Sequence, residues 1–240
     1  MLSYILRTQA MKHQNNETAK ESVFYRRNLP HIHPQNGLFF ITFRLAGSLP
    51  VPIIQQLKNE REIQIKTLGQ KLSPKELATE TYKIDKRNFA KFDEWLDNSS
   101  EGPQWLLDQD VAQIVTNKIH ELDGQRFRLI AYCIMSNHVH LLIDMIDFDN
   151  CMQGKLRGKT KDYPLADILR LLKGSTARKC NLKLERSGAF WHNESYDHYV
   201  RDGEELGRIV EYILNNPIKA GLVEEWQEWR FNYCNTTFMS

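Results

Sequence analysis

The chain has 240 residues, of which 41% are hydrophobic and 26% charged, with a net charge of +2 at pH 7. That length suits one sizeable domain, or one domain with a large insertion, and the composition is ordinary for a globular protein. No stretch approaches the roughly 18 consecutive apolar residues of a membrane span, and the N-terminus lacks the apolar run of a secretory signal. Four widely spaced cysteines without a CxxC pair indicate reduced thiols, so we expect a cytoplasmic protein with no membrane association.

The first half of the chain predicts an arm, a strand and several helices. Residues 1–22 are polar and unpatterned, which is typical of a loosely held arm. The β-branched and aromatic residues of 37–47, bounded by glycines, predict a strand. Charged segments with helical spacing over 53–100 predict a helical insertion, ended by the turn signal NSSEGP. Apolar residues at helical intervals over 110–124 predict a further helix.

The second half predicts the remaining parts of one α+β domain. In chain order these are two strands, a helix, an extended aromatic segment and a last helix, over 126–135, 138–145, 164–184, 187–200 and 202–217. The complete order is the β-α-β-β-α-β order of the ferredoxin-like fold, in which two helices cover one face of an antiparallel sheet. The last helix is additional to that arrangement, and we expect it to pack beside it.

A His-x-His pair opens the second of these two strands. Side chains alternate faces along a strand, so His138 and His140 point to the same side, where their ring nitrogens can converge on one metal ion. The spacing alone is weak evidence, because two histidines on a half-exposed strand can equally be satisfied by water. Two ligands also leave an ion under-coordinated, so a metal site requires a third ligand elsewhere.

The last helix offers both a ligand and a nucleophile. Arg208, Tyr212 and Asn216 are four residues apart and lie along one stripe beside the apolar face of that helix. Tyr212 could be an ordinary helix tyrosine, but Asn216 supplies a carbonyl oxygen one turn away from its phenol. Mg²⁺ or Mn²⁺ held there would polarise a phosphodiester, and attack by a positioned tyrosine would leave a 5′-phosphotyrosine and a free 3′ hydroxyl.

These motifs, taken in order, resemble a known family. YCIMSNHVHLLID, FWHNESYDHYVRD and YILNNPIKAGLV look like the REP-associated tyrosine transposases, which are single-tyrosine nucleases with a His-hydrophobe-His motif. The resemblance extends upstream through FYRRNLPHIHPQNGLFFITFRLAG and GPQWLLD. It indicates a transposase-like domain over 23–226, followed by a C-terminal tail over 227–240.

The resemblance implies a fold, an activity and a set of site residues. It implies that His138, His140 and Asn216 hold a divalent metal, Mg²⁺ or Mn²⁺, and that Tyr212 is the nucleophile. The implied activity is a metal-dependent single-stranded DNA endonuclease and strand transferase, acting at hairpin DNA of the REP palindrome type through a 5′-phosphotyrosine. Similar proteins carry a proline where this chain has Ser136, which affects only the turn before the motif.

Two other groups of residues compete for the same roles. Tyr196 and Tyr199 are alternative nucleophiles, although neither is coupled by helical spacing to a ligand. His31 and His33 form a second His-x-His, but the prolines around them predict a loop.

A basic segment over 151–190, with ten Lys or Arg against three acids, predicts a phosphate-binding surface unless it is simply a solvated face. Its helix provides four cations for backbone phosphates. Trp191 would stack on an unpaired base if it is not a core residue, and two arginines near the N-terminus would clamp a hairpin. The six predicted cations are Arg26, Arg27, Arg170, Lys173, Arg178 and Lys179.

Two alternatives to a transposase-like enzyme stay open. A non-catalytic hairpin-binding module would keep the basic helix and the aromatic residues but would not need Tyr212 with Asn216. A plasmid-type nickase would use the same chemistry on a replication origin. The sequence predicts single-stranded or hairpin DNA as the partner in each case, and it is compatible with a monomer or a homodimer.

Overall fold

The computed structural model describes residues 22–26, 30–34, 37–99, 101–145 and 164–238. Arg27, nearly all of the predicted arm and residues 146–163 lie outside these ranges. The chain divides into two compact units. One consists of Met1–Arg44 together with Trp105–Ser240, and the other is Leu45–Gln104.

The first unit contains a five-stranded antiparallel sheet. Four of these strands and two helices alternate as β-α-β-β-α-β, which confirms the predicted ferredoxin-like order. The strands of the sheet are β3 (Leu38–Arg44), β4 (Arg128–Ile134), β5 (His138–Asp144), β6 (Tyr196–Tyr199) and β7 (Asn232–Cys234). Their order across the sheet is β6-β3-β5-β4-β7. The two helices are α3 (Gln109–Leu122) and α4 (Pro164–Lys183).

One face of the sheet is covered by α3 and α4. Asp108 caps α3, its carboxylate accepting hydrogen bonds from the backbone N–H groups of the first turn. Phe43 on β3 contacts the ring of Trp191 at 4.8 Å between centroids, and Trp191 in turn donates to Thr176 on α4. The predicted apolar face of these helices is therefore the face that builds the core.

The additional helix α5 (Gly203–Lys219) lies on the other face of the sheet. Its Asn216 contacts His140 on β5, and its Tyr212 contacts Phe40 on β3, both of which point away from Phe43. The sheet is thus sandwiched between two helices on one side and the tyrosine-bearing helix on the other. This finding refines the expectation that the last helix packs beside the fold.

Two pieces of β structure were not predicted. Tyr233 of β7 pairs with Tyr132 of β4, so part of the predicted tail is a strand of the main sheet. The strands β1 (Ser22–Arg26) and β2 (Pro30–Pro34) form a separate two-stranded sheet. The expectation that the segment around His31 and His33 is a loop is therefore wrong. Its prolines are at the two ends of β2, where a missing N–H is best tolerated.

The second unit contains the predicted helical insertion, as α1 (Val51–Gly69) and α2 (Pro74–Asn98). Ser73 and Glu76 form a capping box at the start of α2. Arg61 of α1 pairs with Asp85 of α2 at 2.6 Å. None of the helices within the described ranges is long and apolar enough to cross a membrane.

Candidate metal and tyrosine site

The two histidines of the motif lie on one face of the central strand, as the spacing predicts. The register between β3 and β5 pairs Thr42 with His140 and Arg44 with His138. Both imidazoles are completely buried. Their Nε2 atoms are 3.0 Å apart, so the two rings converge on one point.

Neighbouring side chains orient both rings. Nδ1 of His138 lies 2.7 Å from Oδ1 of Asn137, an acceptor, so Nδ1 carries the proton and donates. The lone pair of His138 is therefore on Nε2, which faces the other ring. Nδ1 of His140 lies 2.8 Å from the hydroxyl of Thr42, which can donate or accept. When Thr42 accepts, Nε2 of His140 also presents a lone pair.

Burial keeps both imidazoles neutral. It lowers the pKa of His138 to about 3 and that of His140 well below its ordinary value of 6.5. The positive charge of Lys219, at the end of α5, lowers the pKa of both further. Neutral imidazole is the form that ligates a metal, so the pair is ready to bind without losing protons.

Asn216 completes this arrangement from α5. Its Nδ2 lies 3.0 Å from Nε2 of His140, and its Oδ1 is buried without a hydrogen-bond partner. A buried amide oxygen without a partner is rare and calls for an explanation such as a bound ion. Rotation of the amide by half a turn exchanges the two atoms and points Oδ1 at the histidines. Two imidazole nitrogens and one amide oxygen fit a divalent cation.

Tyr212 lies one turn before Asn216 and is half-buried. The centroid of its ring is 5.5 Å from that of His140 and 6.0 Å from that of Phe40. Phe40 also stacks on His140, with centroids 5.7 Å apart. The structure thus brings together the predicted metal ligands and the predicted nucleophile: His138, His140, Asn216 and Tyr212.

The two alternative nucleophiles, Tyr196 and Tyr199, lie on opposite faces of the sheet, because side chains alternate faces along β6. Tyr199 pairs with Phe39 and packs against its ring, on the face of the sheet opposite to His140, and burial raises its pKa. Tyr196 pairs with Thr42 and contacts Phe40 at 6.2 Å, so it lies on the same face as Tyr212. Of the two rivals, only Tyr196 is placed near the histidines.

The predicted DNA-binding cations have different surroundings. The ammonium of Lys173 lies 2.7–3.1 Å from two carbonyl oxygens and the hydroxyl of the 192–195 loop. Arg170 is near Asp167 at 3.4 Å, and Arg178 and Lys179 are exposed on α4. The backbone of Arg26 ends β1, whereas Arg27 is outside the described residues. The predicted phosphate contacts stay predictions.

Trp191 is a core residue, which corrects its predicted role in base stacking. Only 5% of it is exposed, and its ring packs against Phe43 and Phe190 at 4.8 Å from each. Its indole N–H donates to Thr176 at 2.9 Å. An enclosed ring with a satisfied donor has no face to offer to a base.

Several residues of the site were not predicted from the sequence. Lys219 continues the helical stripe of Tyr212 and Asn216, so its spacing could have identified it. Asn137 precedes the first histidine, but nothing in its sequence context shows that it orients the ring. Thr42 and Arg44 reach the site only through the register of β3 against β5, which the sequence does not contain.

Two curated proteins are similar in sequence to this chain. The chain is 27% identical over 107 residues to a Haemophilus influenzae protein that carries the provisional name REP-associated tyrosine transposase, and 23% identical over 106 residues to the REP-associated tyrosine transposase of Escherichia coli K12. The chain is related in sequence to REP-associated tyrosine transposases. Each match covers 44% of this chain, and the chain spans 58% and 53% of these two relatives. No family model matches it.

Two solved structures are similar to this fold, with lower sequence identity than the two relatives. A REP-associated tyrosine transposase bound to a REP hairpin has a TM-score of 0.47 and 18% identity, covering 87% of this chain and 80% of that one. A provisionally named transposase from Deinococcus radiodurans has a TM-score of 0.34 and 14% identity, covering 80% of this chain and 98% of the other. At this level, neither adds an argument about the activity of this chain.

Proposed function

We propose that this protein is a metal-dependent endonuclease and strand transferase that cuts single-stranded DNA beside a hairpin through a 5′-phosphotyrosine intermediate. The observation that carries the proposal is the convergence of two neutral imidazoles and the buried amide group of Asn216 next to a half-buried tyrosine. A hairpin-binding module that does no chemistry has no use for such an arrangement. The sequence relationship to REP-associated tyrosine transposases supports the choice of a palindromic DNA hairpin as the substrate.

Tyr212 is the nucleophile in this proposal. Its phenol oxygen forms a bond to the phosphorus, and the bond between phosphorus and the 3′ oxygen breaks, the electron pair leaving with that oxygen. The phenol proton passes to solvent and the 3′ oxygen takes up a proton, so the products are a 3′ hydroxyl and a tyrosine joined to the 5′ phosphate. Another 3′ hydroxyl can reverse the reaction, because the phosphodiester energy is kept in the intermediate.

His138, His140 and Asn216 would hold the cation. When bound there, Mg²⁺ or Mn²⁺ supplies Lewis-acid stabilisation of the charge that develops on the phosphate and on the leaving 3′ oxygen. Asn137 and Thr42 orient the two rings through their Nδ1 atoms, which is the supporting role that residues behind a metal ligand commonly have. Phe40 supports His140 and Tyr212 with its ring.

Tyr212 needs activation because a phenol with a pKa of about 10 is ionised in only about one molecule in a thousand at pH 7. Positive charge lowers the cost of forming a phenolate and attracts the phosphodiester. Lys219 supplies such charge, because it acts on both histidines from the end of the same helix. Its proposed role is to bind phosphate beside the tyrosine.

The proposal is tested with hairpin DNA labelled at its 5′ or 3′ end and incubated with Mn²⁺ or Mg²⁺. We expect the wild-type protein to release a 5′-side fragment ending in a 3′ hydroxyl and to form a gel-stable adduct with the 3′-side fragment. Tyr212→Phe and His138→Ala are expected to abolish the adduct.

Tyr196→Phe is the matched control, because its phenol lies on the same face of the sheet and its loss leaves the proposed nucleophile intact. Binding without cleavage across a panel of hairpins from the repeats around the gene would favour the non-catalytic module instead. An adduct that survives Tyr212→Phe but not Tyr196→Phe would move the nucleophile to β6.

A further inference from the structure

The helix α5 carries two buried polar residues on the same stripe as Tyr212. Glu205 lies two turns before the tyrosine and Asn216 one turn after it, and at about 100° per residue all three fall within a sector of about 40°. Only 3% of Glu205 and 1% of Asn216 are exposed. Buried polar side chains require partners, and the sheet below provides one contact at each end of this stripe.

Glu205 is satisfied by a histidine of the edge strand. Nε2 of His198 on β6 lies 3.1 Å from Oε1 of Glu205, and the two side chains are only 10% and 4% exposed. The other carboxylate oxygen accepts the backbone N–H of Arg201 at 3.0 Å, in the connection between β6 and α5. The backbone N–H of Glu205 itself donates to the capping residue Asp202 at 2.8 Å. Glu205 therefore contacts both β6 and the connection that leads from β6 into α5.

The two polar contacts lie on either side of the tyrosine. His198 pairs in register with Phe40, whose ring contacts both His140 and Tyr212. At the other end of the stripe, Asn216 contacts His140 on the central strand. The helix is thus held on an edge strand before Tyr212 and on the central strand after it.

We propose that His198 and Glu205 form a positioning pair, which holds the first half of α5 on the sheet and so keeps Tyr212 beside His140. The inference rests on the proposed function, because it concerns the placement of the nucleophile for phosphoryl transfer. A misplacement of about 1 Å can cost on the order of 100-fold in rate when reacting atoms must be aligned. Removal of one member takes away the buried contact that joins α5 to β6, which favours separation of the helix from the strand.

The pair could instead contribute only to overall stability, and the two roles differ in what they change. A positioning pair affects the catalytic step much more than substrate binding, and a residue of equal volume that keeps a hydrogen bond restores activity. A pair that only stabilises affects activity no more than any core substitution that costs the same stability. The test therefore needs a core control on the other face of the sheet.

The experiment compares Glu205→Ala, Glu205→Gln and His198→Ala with Ile119→Ala, which removes buried volume from α3 on the opposite face. Cleavage of labelled hairpin DNA is measured at a temperature where every variant is folded. We expect Glu205→Ala and His198→Ala to lower kcat at least tenfold with KM changed less than twofold. Glu205→Gln is expected to stay within about threefold of wild type, and Ile119→Ala within twofold. Equal losses of kcat in Glu205→Ala and Ile119→Ala would overturn the proposal.

A second measurement does not depend on cleavage. Hydrogen–deuterium exchange of the peptides from α5 is compared with that of the peptides from α3 in the metal-free protein. We expect Glu205→Ala to speed exchange at least tenfold in α5 while leaving α3 close to wild type, and Ile119→Ala to do the reverse. If the wild-type protein cuts no DNA, the proposed function fails. Faster exchange in α5 alone would still support the positioning pair, whereas equally faster exchange in α5 and α3 would overturn it.

Discussion

Nδ2 of Asn216 on α5 lies 3.0 Å from Nε2 of His140, the same nitrogen that faces His138. The contact joins α5 to the central strand at the point where three potential ligands meet. It also contributes to the placement of Tyr212, because the tyrosine is one turn earlier on the same helix. Metal binding and placement of the nucleophile are therefore expected to depend on each other.

Replacement of Asn216 tests whether this residue contributes to metal binding. We expect Asn216→Ala to weaken Mn²⁺ binding at least about tenfold, because a ligand is lost and the two histidines alone leave the ion under-coordinated. Isothermal titration calorimetry measures the effect directly. Asn215→Ala is the matched control, since Asn215 is the exposed neighbour on the same helix. Equal affinity in Asn216→Ala and wild type would remove Asn216 from the site.

The hydroxyl of Thr42 orients His140 from the neighbouring strand. We expect Thr42→Val to weaken Mn²⁺ binding by about 10-fold, within the range seen for residues behind a metal ligand, because valine has the same shape but cannot hydrogen-bond Nδ1. Thr42→Ser keeps the hydroxyl and is expected to bind like wild type. If both variants bind alike, the hydrogen bond has no part in the site.

The buried histidines make the metal-free fold sensitive to acid. Burial lowers the pKa of His138 to about 3, whereas the unfolded chain takes up the same proton near 6.5. Between these values the unfolded state binds more protons, so stability falls as the pH falls. We expect the free energy of unfolding to drop by about 1 kcal/mol from pH 6 to pH 5 for each such histidine.

Urea denaturation at the two pH values, with a chelator present, measures this dependence. His138→Gln removes one of the two groups, so the loss of stability between pH 6 and pH 5 is expected to be smaller by about 1 kcal/mol than in wild type. An unchanged slope in the variant would mean that His138 is not held neutral by the fold.

Lys219 is expected to affect the metal and the DNA in opposite directions. Its charge opposes a cation at the histidines, so Lys219→Gln should tighten Mn²⁺ binding slightly in the free protein. The same change should weaken binding of single-stranded DNA and lower the slope of log K against log salt by about 0.7, the value for one phosphate contact. Lys71→Gln, at an exposed lysine outside the predicted DNA contacts, separates a local contact from a general loss of charge. A slope unchanged in Lys219→Gln would exclude the phosphate contact.

Much of the fold could be predicted from the sequence, because its strands and helices are long and strongly patterned. His138 and His140 share a face through the period of a strand, and Tyr212 and Asn216 share one through the period of a helix. The strand β7 has only three residues, too few to show a period. The prolines that bound β2 indicate a loop in the sequence, whereas in the structure both lie at the ends of the strand.

The remaining parts of the site depend on tertiary pairing. Thr42 is 98 residues before His140, and only the register of two strands brings them together. Likewise, the pairing of His198 with Glu205 requires the helix to fold back over the edge strand. Trp191 lies next to a basic segment in the sequence, which favoured a DNA contact, but its burial is decided by Phe43 and Thr176 from other elements.

The most direct test of the account is mass spectrometry of the covalent protein–DNA adduct. After reaction with a hairpin substrate and Mn²⁺, the DNA is digested with nuclease and the protein with protease. We predict that the peptide containing Tyr212 gains the mass of a 5′-linked nucleotide and that fragmentation places it on the phenol oxygen. Adduct mass on Tyr196 would contradict the assignment of Tyr212 as the nucleophile, and cleaved DNA without any modified tyrosine would contradict the phosphotyrosine mechanism.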